Sequence, residues 1–198
     1  AITEGDTANV LTAQRFGFTY REMPNEPVGD KFQASLDMAM EAGCHAVMIL
    51  GSDDFVSAEF VEAAVGKLRA GGHYFTPSCA AVHHPVAGTY LVKFTGRSAG
   101  TGGAGRVVHR DAILKADGLW KAGRQRSLDS ESHGRLLAAG FKCDVVNTSR
   151  VPVVDVKSGV NIWPWRVWRG SGKPITAENA LWMISEHIRV QLPLTVVS

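Results

Sequence analysis

Ala46-Val47-Met48-Ile49-Leu50-Gly51-Ser52-Asp53-Asp54 is a run of five apolar residues that breaks at Gly-Ser and ends in two adjacent carboxylates. An unbroken apolar run with two β-branched members suits a strand covered on both faces, as in a parallel sheet; a one-sided strand would alternate. Carboxylates just past the C-terminal end of such a strand lie where open α/β sheets take their ligands. Paired hard oxygens there suit Mg²⁺ or Mn²⁺ carrying a phosphate-bearing substrate. A simpler reading stays open from these residues alone: Asp53 and Asp54 make a turn and cap the helix that starts near Ser57.

The flanks of this run are helical. Before it, Phe32, Leu36, Ala39 and Met40 recur at helical spacing over residues 30–42, and Gly43 stops the helix. Lys31 sits in its first turn, where the macrodipole disfavours a cation, so an anionic ligand such as a pyrophosphate would explain it as well as a solvated surface position would. After the run, residues 58–70 form an amphipathic helix ended by Gly71-Gly72. Strands and helices therefore alternate, which predicts right-handed crossovers and an α/β fold with a mostly parallel central sheet flanked by helices.

Farther towards the N-terminus, Ala1-Ile2-Thr3 reads as the end of a strand, and Asp6 or Thr7 caps a helix over residues 8–16. Glu4, at that strand end, is a candidate contact for a nucleotide base or ribose. A parallel sheet whose first visible strand ends there is expected to have an earlier strand beside it, missing from this chain.

Towards the C-terminus, residues 74–82 return to the sheet, His83-His84-Pro85 is expected to open a hairpin, and residues 88–94 alternate as its second strand. Adjacent histidines on extended backbone point to opposite faces, which argues against one shared ion. Residues 96–106 hold the densest glycine in the chain but no phosphate-loop signature. They read as an active-site loop or as a plain connector. A strand and helix follow over residues 107–116, then a basic connection with Lys121, Arg124 and Arg126. Residues 128–140 open a further helix with Asp129 and Ser130 in its first turn. A carboxylate there is held ionised by the dipole and suits a proton acceptor, although capping alone also accounts for one acid. Residues 141–146 and 151–156 read as short strands. Trp163, Trp165 and Trp168 stand beside Arg166 and Arg169, which suits either base or sugar stacking or a packing clasp for a C-terminal helix over residues 177–188.

Composition narrows the class. A 45% hydrophobic content and a net charge of +2 exclude a disordered chain or a polybasic nucleic-acid binder. Cys44, Cys79 and Cys143 are odd in number and contain no C-x-x-C pair, which argues against a disulfide framework or zinc site and predicts a reducing, cytoplasmic setting. No stretch reaches the roughly 18 apolar residues of a membrane span.

Four blocks resemble the nucleotide-diphospho-sugar transferases of the glycosyltransferase-A (GT-A, Rossmann-like) fold, in particular family 2-like glycosyltransferases. Pro24-Asn25 with Gly29, Lys31 and the following helix is similar to the segment before that family's metal strand. Ile49-Leu50-Gly51-Ser52-Asp53-Asp54 resembles its Asp-x-Asp-type motif, with Asp54 matching the last acid and Ser52 standing where an acid is usual. Gly103-Ala104-Gly105-Arg106-Val107-Val108-His109-Arg110 resembles the segment beneath the acceptor. Leu128-Asp129-Ser130-Glu131, followed by Arg135-Leu136 and Gly140, resembles the region that carries the catalytic base, with Leu128 in place of the usual glutamate.

The resemblance implies a catalytic domain over residues 1–162 and a C-terminal Trp-rich segment and helix over 163–198. It implies metal-dependent transfer of a sugar from a nucleoside-diphosphate donor to an acceptor hydroxyl, with inversion. Asp54 would bind Mn²⁺ or Mg²⁺, Asp129 would be the base, Lys31 and Arg106 would offset phosphate charge, and Glu4 and Asp53 would contact the nucleotide. The acceptor class stays open between a glycan, a small molecule and a modified nucleic-acid base, as does the oligomeric state. Two competing readings are a nucleotidyltransferase of related fold and a non-enzymatic nucleotide- or nucleic-acid-binding module.

Overall fold

The computed structural model describes residues 2–3, 7–24, 26–84, 87–94, 99–100, 102–157, 172–176, 179 and 182. In chain order the elements are β1 (Ile2–Thr3), α1 (Thr7–Phe16), β2 (Arg21–Glu22), α2 (Val28–Glu41), β3 (Ala46–Ile49), β4 (Asp54–Val56), α3 (Ala58–Arg69), β5 (Tyr74–Pro77), β6 (Cys79–His84), β7 (Gly88–Lys93), β8 (Arg106–His109), α4 (Arg110–Lys115), α5 (Leu128–Ala138), β9 (Asp144–Val146), β10 (Val153–Val156) and β11 (Lys173–Ile175). They fall into two compact units, Ala1–Val47 with Val108–Lys142, and Met48–Val107 with Cys143–Ser198. Among the described residues no helix is long and apolar enough to cross a membrane.

In the first unit, β1 and β2 pair in parallel. The helix α2 buries Leu36 and sets Phe32 against Trp120, ring centroids 5.3 Å apart. Gly43, at a φ of +76°, ends α2, a backbone state that glycine adopts without steric cost. The connection before α5 is tied down by its backbone: Trp120 Nε1 donates to the Leu128 carbonyl, Gly123 N to Asp30 Oδ1, and Gly29 N to the Arg124 carbonyl. A side chain at Gly29 would meet that carbonyl at 2.7 Å, so only glycine permits the approach.

The second unit holds a five-stranded sheet in the order β11-β7-β6-β10-β4, and a four-stranded sheet in the order β3-β8-β5-β9 includes its strands. Phe60 and Ala64 of α3 pack with Phe75, Val107 and Val146 in one cluster; Ala80, Val82, Val92, Phe94 and Val153 form another. Ser57 caps α3 by accepting from Phe60 N, and this cap is itself 1% exposed.

Three expectations are corrected. The chain is mixed α/β, and its sheets are mixed: β10 runs parallel to β6 and β9 to β5, but β6–β7, β7–β11 and β4–β10 are antiparallel. The antiparallel β6–β7 pair is the hairpin expected there, whose short link leaves no room for the crossover of a dozen or more residues that a parallel return needs. Residues 74–82 form two strands, because Ser78 donates its N–H to the Val146 carbonyl while its own carbonyl accepts from Phe94 N, so the chain changes sheets there. The apolar run at β3 is half-buried, with only Ile49 inside and Leu50 38% exposed, and is not covered on both faces.

The Trp-rich segment 163–169 lies outside the described residues, as does most of the expected C-terminal helix. Trp182, which is helical, packs against the Ala81–Val154 cluster, with the Arg150 guanidinium 4.7 Å from its ring centroid.

Candidate metal centre

Past β3 the chain turns tightly: Asp54 N donates to the Gly51 carbonyl, and Gly51 N donates to Asp54 Oδ2 at 2.6 Å. A Cβ at Gly51 would meet Asp53 Oδ1 at 2.7 Å and Asp54 Oδ2 at 3.2 Å, so glycine is what lets both carboxylates fold back on the backbone. Val156 N donates to the Asp53 carbonyl at 2.9 Å and fixes the turn to β10.

That contact introduces a third acid. Asp155 is the direct cross-strand partner of Asp54 in the antiparallel β4–β10 pair, and ligand oxygens of Asp53, Asp54 and Asp155 all lie within 4.8 Å of one another. Lys157, two residues on and therefore on the face of β10 that carries Asp155, is 10% exposed. Its Nζ lies 2.6 Å from Asp155 Oδ1 and 3.5 Å from Asp53 Oδ2.

Burial shapes the protonation of this cluster. The Asp54 carboxyl is pushed up to about 7, first by desolvation and then by Asp155 and Asp53, against the Gly51 hydrogen bond and Lys157, which pull it down. Burial likewise raises Asp155 to about 6, with the Lys157 ion pair opposing. Among the described residues the three acids face Lys157, and a divalent cation would offset their mutual repulsion when they are ionised.

The donor set fits a hard divalent ion. All donors are carboxylate oxygens, and the ligands of a Mg²⁺ octahedron lie about 3–4 Å apart, so the observed limit of 4.8 Å requires only a small inward movement.

Asp155 and Lys157 lie outside the residues that the sequence marks as a site. The available signal is Val153-Val154-Asp155-Val156-Lys157, a strand that places two opposite charges two apart in an apolar frame.

The remaining expected site residues are placed as follows. Glu4 lies outside the described residues. Lys31 is half-buried in the first turn of α2. Arg106 is fully buried, and its Nη2 donates to the carbonyls of Gly100 at 2.6 Å and Gly102 at 3.1 Å. Tyr74 also donates to Gly100, so the described part of the glycine-rich segment is anchored. Asp129 is exposed in the first turn of α5. Glu131 is engaged with Lys121 N at 3.2 Å and Arg124 Nε at 3.4 Å. Ser132 turns its hydroxyl back onto the Leu128 and Asp129 carbonyls. His83 and His84 close β6 itself, where His83 Nδ1 meets Thr89 Oγ1 and His84 Nδ1 accepts from Ala87 N.

No protein-family model matches the chain. No curated protein matches it either. Among solved structures, the chain is similar to a crystal structure described as a "putative nucleotide-diphospho-sugar transferase" from Desulfovibrio desulfuricans G20, at 14% identity and a TM-score of 0.43, covering 96% of this chain and 74% of that one.

Proposed function

We propose that the chain is a glycosyltransferase that moves a sugar from a nucleoside-diphosphate donor to an acceptor hydroxyl, with a divalent cation at the carboxylate cluster and inversion at the anomeric carbon. The observation that carries this reading is the convergence of Asp53, Asp54 and Asp155 within 4.8 Å, two of them desolvated enough to be raised to about 7 and about 6. The motif resemblance of residues 49–54 and 128–140 supports it.

In this reading Asp54 and Asp155 hold the cation, Mn²⁺ or Mg²⁺, and Asp53 supports the donor side. When bound, the cation supplies charge neutralisation of the departing nucleoside diphosphate. Asp129 accepts the proton of the acceptor hydroxyl. It matches the acid of the motif resemblance and is exposed in the first turn of α5. Lys31 offsets phosphate charge and Glu4 contacts the nucleoside, while Arg106 holds the carbonyls of Gly100 and Gly102.

The test is a screen of nucleoside-diphosphate sugars with Mn²⁺, read by thermal shift and by release of nucleoside diphosphate. Binding to the folded state raises stability by mass action. Asp54→Ala is expected to abolish metal-dependent donor binding, and Asp129→Asn to remove turnover while sparing donor affinity. Full transfer by either variant overturns the assigned role. Product formed only from sugar phosphate plus nucleoside triphosphate would instead identify a nucleotidyltransferase.

A further inference from the structure

A second charged site lies in the first unit, formed by residues none of which belongs to the carboxylate cluster. It is a cleft of about 430 Å³ between α5 and the connection that precedes it, lined by Lys121, Arg124, Arg135, Glu131, Ser127 and Ser130, with Gly134 and Ala138 along the helix. Among the described lining residues three cations face one carboxylate, a formal excess of two positive charges.

These charges sit on a fixed frame. Arg135 donates from Nε to the Gly118 carbonyl at 3.0 Å and from Nη2 to the carbonyls of Ala116, at 3.0 Å, and Asp117. Asp117 Oδ2, which is not part of the lining, lies 3.8 Å from Arg135 Nη2. Arg124 is 53% exposed, with Nε held 3.4 Å from Glu131 Oε2. The backbone of residues 120–125 is pinned on both sides: Lys121 N donates to Glu131, Gly123 N to Asp30, and Arg124 O accepts from Gly29 N, while the Gln125 side chain accepts from Val28 N. A connection whose backbone is this firmly tied needs less ordering when a ligand binds.

The helix side of the cleft adds donors and room. Ser127 adopts a left-handed φ of 61° and makes no side-chain cap, so its hydroxyl does not serve the first-turn amides of α5. Gly134 is interior to the helix, where glycine is unfavourable, and a Cβ there would meet nothing within 4 Å. Among the described residues no packing contact accounts for the glycine; close approach of a ligand to the helix would.

We infer that this cleft is a binding site for a phosphate monoester, with Arg124 and Lys121 pairing the phosphate and the Ser127 and Ser130 hydroxyls donating to its oxygens. A dianionic group matches the excess of two charges and accepts several hydrogen bonds at once, and a guanidinium suits it geometrically. The inference rests on the first unit alone and holds independently of the transferase reading; within that reading, a phosphorylated acceptor is the molecule bound here.

The experiment is a titration of the whole chain with inorganic phosphate and with glycerol 3-phosphate, followed by amide chemical shifts and calorimetry at constant ionic strength. Saturable shifts at Lys121, Arg124, Ser127 and Ser130 are expected, with affinity reduced at least tenfold in Arg124→Glu. Ser130→Asp, which places a like charge in the cleft and keeps every cation, should do the same if Arg124→Glu fails to fold. Lys142→Glu, at an exposed lysine outside the lining, should leave binding unchanged. Absence of shifts at these amides, or equal loss in Lys142→Glu, overturns the inference. Donor binding with Mn²⁺ measured in the same variants reports on the transferase reading separately.

Discussion

Asp54 and Asp155 stand directly opposite one another on the antiparallel strands β4 and β10, an acid facing an acid in a half-buried position. Like charges in that relation oppose pairing; Lys157 pairs with Asp155, and burial raises both carboxyls, Asp54 to about 7 and Asp155 to about 6.

Stability without metal should therefore fall as pH rises. The folded Asp54 titrates at about 7 against 3.8 for an unperturbed aspartate, and Asp155 at about 6. Between about pH 4 and pH 7 the folded chain retains protons that the unfolded chain has released, so the stabilisation present in acid is lost on the way to neutrality. In chelator, urea denaturation at pH 5 and pH 8 should differ by roughly 2–4 kcal/mol more in the parent than in Asp54→Asn. Parallel profiles for the two proteins would remove the basis for a desolvated carboxylate here. Mn²⁺ should restore stability at pH 8 in the parent and not in Asp54→Asn.

Lys157→Met should destabilise the chain most at alkaline pH. The lysine is 10% exposed and lies 2.6 Å from Asp155, and removing one member of a buried pair leaves the other charge uncompensated. The expected loss is roughly 2–4 kcal/mol at pH 8, shrinking towards pH 5 as Asp155 takes up its proton. A pH-independent loss would indicate that packing of the lysine stem, and not its charge, is what matters.

Arg106→Met should loosen the glycine-rich segment. The guanidinium is fully buried and serves the Gly100 and Gly102 carbonyls, which methionine cannot do. The cost is expected to be roughly 2–4 kcal/mol, with limited proteolysis appearing first between residues 99 and 105. Unchanged proteolysis would show that the Tyr74 contact to Gly100 suffices.

Gly134→Ala should stabilise α5. Nothing lies within 4 Å of the added methyl, so the gain in helix propensity, up to about 1 kcal/mol, meets no steric opposition. A lower thermal midpoint would mean that the helix surface at this position is covered by atoms not accounted for.

Much of the helical layer is legible in local spacing. Ser57 before an amphipathic run reads as the cap of α3, and Gly43 and Gly71 read as stops, because capping and handedness act over a few residues. The turn at Gly51–Asp54 is legible for the same reason: glycine, serine and adjacent acids break an apolar run, and the hydrogen bonds that close the turn span three residues.

What the local sequence determined about this protein is the position and type of helices α1 to α5 and a pair of acids placed at a strand end. Only the tertiary structure decided that Asp155 and Lys157, about a hundred residues further on, complete the cluster, that β4 runs antiparallel to β10, and that the strand expected over residues 74–82 divides at Ser78 between two sheets. Strand partners and buried charges are chosen by non-local pairing and by the dielectric the whole fold creates, and neither leaves a periodic trace in neighbouring residues.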